Sequence, residues 1–315
     1  MTARETKDRE QGKTAHGQSL AQKLRWLHVA CFLASCSDVD PLIIPPLDPN
    51  DVDADGVPNA DDLCPEHYDY VQHDEDLDGF GDGCDVCPAT PDDQADTGEA
   101  SSFGFGDGIG DACDPRPSRD GDKRARFDAF ATDSSADYTG TGWMIGTDVV
   151  RAVSSARWEQ PRILQGDGLF AQIQVPLLEW LGPGKVEVEI NGAGISVGAT
   201  CTIFHDRNGD GEDELVARED NGATARASIG SVSAPFTLTA DRVIGRDRKA
   251  ELRCLFGAQE IRIPLLDEIP SGTVAFSSSQ AAIEVSSLSV YTFPINPCFA
   301  GATAPHECPD NDTDF

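Results

Sequence analysis

The chain has 315 residues, 55 acidic against 24 basic, for a formal net charge of −31. That balance argues against nucleic acid as a partner, because such binding depends on Lys and Arg neutralising phosphates. Ten cysteines accompany this charge, and their placing bears on the redox compartment.

Residues 1–35 begin polar, carry Lys23 and Arg25, and continue into an apolar run from Trp26 to Ala34. A basic start, a short apolar stretch and small residues describe a secretory signal, too short to span a membrane as a mature helix. The run ends in Leu33-Ala34-Ser35-Cys36, which resembles a bacterial lipobox. In that family the signal is cut before the Cys, which is then acylated. The resemblance implies Cys36 as the lipidated first residue of the mature chain. Ser37 after it is similar to lipoproteins sent to the outer membrane or cell surface. The plainer alternative is an ordinary signal cut nearby. Residues 36–47, with Pro41, Pro45 and Pro46, form a Pro-rich linker expected to be short and stiff.

From Trp26 to Pro115 there is no Lys and no Arg, and 21 acids fall between Asp48 and Asp114. Carboxylates at this density repel, so the segment is either a disordered acidic tail or is neutralised by a cation. Asp51, Asp53 and Asp55 precede Gly56; Asp74, Asp76 and Asp78 precede Gly79. Alternate oxygen ligands followed by a turn Gly suit a loop that wraps Ca²⁺, a hard ion that takes about six to eight oxygens. Asp62 leads to Cys64-Pro65, and Gly81-Asp82-x-Cys84-Asp85 to Cys87-Pro88. Gln94 and Asp96 follow, then Asp107-Gly108-x-Gly110-Asp111-x-Cys113-Asp114. Over residues 48–115 this pattern resembles an array of thrombospondin type 3 repeats. The resemblance implies an irregular stalk with little hydrophobic core and several structural Ca²⁺ ions. The implied ligands are Asp51, Asp53, Asp55, Asp62, Asp74, Asp76, Asp78, Asp82, Asp85, Asp96, Asp107, Asp111 and Asp114. It also implies sequential disulfides, Cys64–Cys84 and Cys87–Cys113. The third array departs from the pattern, with Phe103 and Phe105 in place of its first two Asp and residues 97–102 inserted. Asp96 is then the candidate to begin that unit. A phosphate-cradling reading of Gly104–Gly110 fails, because the run has no Lys and lies among carboxylates.

Setting aside Cys31 and Cys36 leaves an even number of cysteines, as expected of an exported, disulfide-bonded chain. A mixed-charge hinge spans 116–126. From 127 to 294 the texture becomes period-two: Val186, Val188 and Ile190 alternate with Lys185, Glu187 and Glu189. Ile195, Val197, Ala199, Cys201 and Ile203 share one parity, as do Ala250, Leu252 and Cys254. Such alternation with frequent turn residues predicts an antiparallel β-sandwich with one wet and one buried face per sheet. Cys201 and Cys254 both fall on inward parities, which fits a disulfide between core strands. The early Trp143 and Trp158 and the closing runs through Val274, Phe276, Ile283, Val285, Leu288 and Val290 resemble concanavalin A-like jelly-rolls of the laminin G or pentraxin kind. The fold class is therefore mainly β, an irregular Ca²⁺-binding stalk plus an antiparallel jelly-roll. Residues 295–315 form a tail in which Cys298 and Cys308 are the remaining partners.

Within the sandwich, Asp206-x-Asn208-x-Asp210-Gly211-x-x-Glu214 repeats the alternating oxygen pattern between two strand-like runs. It resembles the DxNxDG loops of integrin-type repeats and dockerins, which implies Ca²⁺ on Asp206, Asn208, Asp210 and Glu214. An acidic hairpin turn that binds nothing is the alternative. Signs of catalysis are sparse. Glu187-x-Glu189 lacks the third acid that glycoside hydrolases of this fold carry, and reads as the wet face of a strand. No G-x-S-x-G occurs, and no His cluster suits zinc. The expectation is a lipid-anchored surface protein for adhesion or for binding a glycan or extracellular protein, with Ca²⁺ as structural metal. The alternatives are a polysaccharide hydrolase or lyase on the same scaffold, or a structural spacer.

Overall fold

A computed structural model describes residues 48–97, 106–117, 121–166, 168–192, 198–220, 222–244, 249–266 and 271–293. The signal peptide, Cys36, the linker, and the tail with Cys298 and Cys308 lie outside the described residues.

Alternation of apolar and polar residues produces strands wherever it runs uninterrupted. In chain order these are β1 (Lys123–Asp128), β2 (Thr139–Thr141), β3 (Met144–Ile145), β4 (Val150–Ala152), β5 (Ala156–Gln165), β6 (Gly168–Val175), β7 (Leu177–Gly192) and β8 (Gly198–His205). They continue as β9 (Asp213–Glu219), β10 (Thr224–Gly230), β11 (Phe236–Ile244), β12 (Ala250–Phe256), β13 (Gln259–Pro264), β14 (Ser271–Val285) and β15 (Ser287–Phe293). One sheet has the order β1-β15-β6-β11-β12-β13; the other runs β10-β9-β8-β7-β14-β4-β3, with β5 beside β14 and β2 beside β5. Neighbours pair antiparallel, as between β7 and β8, where Val188 faces Cys201. The expected mainly β, antiparallel sandwich is what forms.

The inward faces meet as expected from period two. Val186, Val188 and Ile190 are buried on β7, as are Ala199, Cys201 and Ile203 on β8 and Leu252 and Cys254 on β12. Ile195 and Val197 lie outside the described residues. Burying each such side chain contributes about 1.5–3 kcal/mol. The two Trp fall in an aromatic cluster: Trp158 stacks on Tyr138 with centroids 4.8 Å apart, and Phe276 lies 5.0 Å from Trp143. Cys201 and Cys254 are joined, tying β8 of one sheet to β12 of the other.

Within the segment read as hinge, β1 begins at Lys123 and pairs with β15 from Thr292 to Leu288. The acidic repeats pack against the sandwich. Ile109 is buried in a small cluster with Val243, Tyr291 and Phe293, with Cys113 and Phe170 packed against it. Arg124 Nη1 donates to Asp85 O at 2.7 Å, and Gln174 Nε2 to Ala89 O at 2.5 Å. These contacts cover an outer face of the six-stranded sheet. Among the described residues no helix is long and apolar enough to cross a membrane.

Candidate metal centres in the acidic repeats

Residues 48–97 and 106–117 have turns and bends in place of extended strands, and their side chains do what a sheet would otherwise do. Many of the Asp side chains cap backbone N–H groups a few residues on, the ordinary chemistry of Asx turns. In the first unit Gly56 N donates to Asp51 Oδ2 at 3.2 Å, Asp55 N to Asp53 Oδ1 at 3.2 Å, and Val57 N to Asp55 Oδ1 at 2.7 Å. The second repeats it: Gly79 N to Asp74 Oδ2 at 3.0 Å, Asp78 N to Asp76 Oδ1 at 3.2 Å, and Phe80 N to Asp78 Oδ1 at 3.0 Å. Gly56 and Gly79 sit at φ +98° and +99°, where a side chain is strained. In the third unit Gly108 N donates to Asp96 Oδ2 at 2.9 Å and Ile109 N to Asp107 Oδ1 at 3.1 Å. Asp96 therefore takes the part played by Asp51 and Asp74.

A second set of acids lies between the units. Cys64 N donates to Asp62 Oδ1 and Cys87 N to Asp85 Oδ1, both at 2.7 Å. Gln72 Nε2 reaches Asp62 Oδ1 at 2.8 Å, and Gln94 Nε2 reaches Asp85 Oδ1 at 2.7 Å. The disulfides Cys64–Cys84 and Cys87–Cys113 close each unit. Asp69 N donates to Asp55 Oδ2, and Asp92 N to Asp78 Oδ2, each at 3.1 Å. Asp69 and Asp92 were missed by the sequence reading. Their signal was available: each follows Asp62 or Asp85 by the same interval that separates those residues from Asp55 and Asp78.

Asp55 and Asp78 use both carboxylate oxygens in these bonds, but several of the other acids use only one. Asp51 Oδ1, Asp53 Oδ2, Asp62 Oδ2, Asp76 Oδ2, Asp85 Oδ2, Asp92 Oδ2 and Asp96 Oδ1 are buried without a hydrogen-bond partner. Ligand oxygens converge within 4.8 Å of one another in three groups: Asp51/Asp53/Asp55, Asp74/Asp76/Asp78 and Asp78/Asp85/Asp92. Burial first, then Asp78 and Asp85, pushes Asp76 up to about 6, and burial first raises Asp85. A cluster of buried anions that cannot all stay ionised without a countercharge fits a hard divalent cation.

Not every expected ligand joins these groups. Asp82 accepts Glu75 N on Oδ1 at 3.0 Å and pairs with His73 Nδ1 on Oδ2 at 2.7 Å. Asp111 accepts Thr97 N and Thr97 Oγ1, each at 3.0 Å. Asp114 accepts Arg116 N at 2.6 Å. A cleft of about 470 Å³ opens between the first unit and β1, lined by Asp69, His73, Asp82, Arg124, Arg126 and Asp128 among others. Its charges are of both signs, and Arg126 is already bound to Asp128 at 2.6 Å.

The hairpin between β8 and β9 holds itself. Asp206 accepts Gly211 N at 2.8 Å, Asp210 accepts Glu212 N at 3.0 Å, and Asn208 Nδ2 donates to Glu214 Oε1 at 3.2 Å. Their oxygens are not among the converging groups of the described residues. The fully buried Asp213 anchors the hairpin by taking His205 Nδ1 at 2.7 Å and Val232 N at 2.7 Å. His205 stacks on Trp180 with centroids 4.7 Å apart.

The face of the nine-stranded sheet turned from the core is a row of paired polar groups. Arg157 bonds Glu189 at 2.8 and 3.1 Å and Glu159 at 3.0 Å. Glu187 accepts Lys185 Nζ at 2.6 Å and Thr202 Oγ1 at 2.7 Å. For Glu159 burial works upward, but Thr273 and Arg157 prevail and hold its carboxyl below the usual range. A carboxylate held below its usual range, as that of Glu159 is, suits hydrogen bonding better than proton donation.

No protein-family model matches this sequence, and no curated protein matches it. Solved structures resemble it in fold. One is a legume lectin-like domain from Entamoeba histolytica, 13% identical, covering 50% of this chain and 91% of that chain, with a TM-score of 0.36. A second is the Emp46p carbohydrate recognition domain in its metal-free form, at 8% identity, 52% and 92% coverage, and a TM-score of 0.42. A third is a prokaryotic β-1,3-1,4-glucanase derived from a mouse hindgut metagenome, at 9% identity, 54% and 99% coverage, and a TM-score of 0.38.

Proposed function

We propose that residues 48–117 are a Ca²⁺-binding array of the thrombospondin type 3 kind, fused to a sandwich that binds an extracellular ligand. The carrying observation is Asp85. It is 1% exposed, its Oδ2 has no hydrogen-bond partner, and that residue's oxygens converge with those of Asp78 and Asp92. An anion left so is costly unless a cation meets it. Asp51, Asp53 and Asp55 would hold one ion; Asp74, Asp76 and Asp78 a second; Asp78, Asp85 and Asp92 a third. Bound Ca²⁺ supplies positive charge and ties together turns that have little apolar core of their own. Three formed disulfides support export to an oxidising compartment, and a lipid on Cys36 would anchor the chain at the outer membrane or cell surface.

For the sandwich we favour adhesion or glycan binding. The outer row of Arg157, Glu159 and Glu189, with Arg157 the most exposed, offers donors and acceptors that match sugar hydroxyls. The test is calorimetric titration of the full chain with Ca²⁺, followed by a glycan array in Ca²⁺ and in chelator. Several bound ions per chain and retention of a glycan, lost in Glu189→Gln, support the reading. A chain that binds no Ca²⁺ and resists protease equally in chelator sinks the metal part. A full chain that retains no glycan redirects the sandwich to a protein ligand.

A further inference from the structure

The third unit departs from the other two again at its C-terminal end. Where the first two units are followed by Cys64-Pro65 and Cys87-Pro88, the third is followed by Arg116-Pro117. The backbone equivalence is clear: Arg116 N donates to Asp114 Oδ1 as Cys64 N does to Asp62 and Cys87 N to Asp85. The acid matching Asp69 and Asp92 is Asp122, whose N–H donates to the Asp107 carboxylate as theirs do to Asp55 and Asp78. The trio Asp107, Asp114 and Asp122 therefore corresponds to Asp78, Asp85 and Asp92.

Here, however, a positive charge is already present. The Arg116 guanidinium grips both oxygens of Asp122, through Nε at 3.0 Å and through Nη2. The Asp122 side chain is 0% exposed and that of Arg116 18%. On its other side the guanidinium lies 4.0 Å from the centroid of Phe293, the last residue of β15, which shares a buried cluster with Ile109. A planar guanidinium suits this setting, since it can bond a carboxylate with two N–H groups and stack on a ring at once.

We propose that Arg116 is an internal replacement for a divalent cation. It ends the array by supplying covalently the charge that the preceding unit takes from solution, so the unit docked on the sandwich stays folded when Ca²⁺ is withdrawn. This rests on the reading of the first two units as Ca²⁺ sites.

Two measurements on the full chain test it. Hydrogen exchange is followed in saturating Ca²⁺ and in excess chelator. Amides of residues 51–64 and 74–92 lose protection by about tenfold or more, while those of 107–117 and 121–128 hold within about twofold. Native mass spectrometry then counts bound Ca²⁺. Arg116→Gln frees the Asp122 carboxylate and takes up about one ion more than the wild type, and Arg116→Lys keeps the wild-type number. Loss of protection spread evenly from 51 to 128, in a wild type that binds Ca²⁺, overturns the role of Arg116 and leaves the metal reading standing. An unchanged count in a folded Arg116→Gln does the same. A wild type that binds no Ca²⁺ overturns the metal reading and this inference with it. If Arg116→Gln fails to fold, the wild-type exchange pattern decides.

Discussion

The amide of Asp92 donates to Asp78 Oδ2 at 3.1 Å, across fourteen residues of chain. This one bond returns the chain to the second loop and sets a carboxylate beside Asp78 and Asp85. Asp92→Asn keeps the amide and removes the charge. It is expected to weaken Ca²⁺ binding by about tenfold or more, close to 1.4 kcal/mol, while the neighbouring Asp93→Asn leaves the titration unchanged. Calorimetry on both variants checks this.

A metal bound at these oxygens would compete with protons for them. Burial, Asp78 and Asp85 push Asp76 up to about 6 in the folded chain, above its value of about 3.9 in an unfolded one. A carboxyl raised on folding destabilises the fold where it is ionised, and stability returns as pH falls through the folded value toward the unfolded one. In chelator, residues 74–92 are therefore expected to gain protease resistance between pH 7 and pH 4. In saturating Ca²⁺ they are expected to lose it over the same range, as protons displace the ion. The same trend in both conditions would refute this.

The link between the sheets has a measurable weight. Cys201–Cys254 spans 53 residues and joins β8 to β12. Replacing both with Ala is expected to lower unfolding stability by about 2–4 kcal/mol. Urea unfolding followed by tryptophan fluorescence reads the difference.

Phe276 is the ring around which Tyr138, Trp143, Trp158 and Phe130 gather. Phe276→Ala is expected to cost about 3–5 kcal/mol and to shift tryptophan emission, because two indoles lose a packing partner. Unfolding with the wild-type midpoint would show that the cluster closes over the gap.

Both the sandwich and the alternating acids were legible because their signals are local. Val186, Val188 and Ile190 point inward by period two, and Asp-x-Asp-x-Asp-Gly fixes a loop within a few residues. What the sequence hid has no period. β11 places Asp241 opposite Phe170 and carries Val243 on the same parity, a face that alternation marks as wet. Ile109 packs on that face near Val243 and Phe170, and Asp241 becomes fully buried, bound to Arg253. Nothing in residues 103–115 announces a partner more than a hundred positions away. Asp69 and Asp92 escaped for a different reason: only comparison of one unit with the next shows them, since neither is flanked by a turn Gly.

Asp78 belongs to two of the converging groups at once. If Ca²⁺ fills both groups, the two ions share that carboxylate, and their occupancies are coupled. The first ion fixes Asp78 in place for the second, while the like charges of the two ions oppose each other. The two sites would then titrate as a pair, and a change at either one would be read at both.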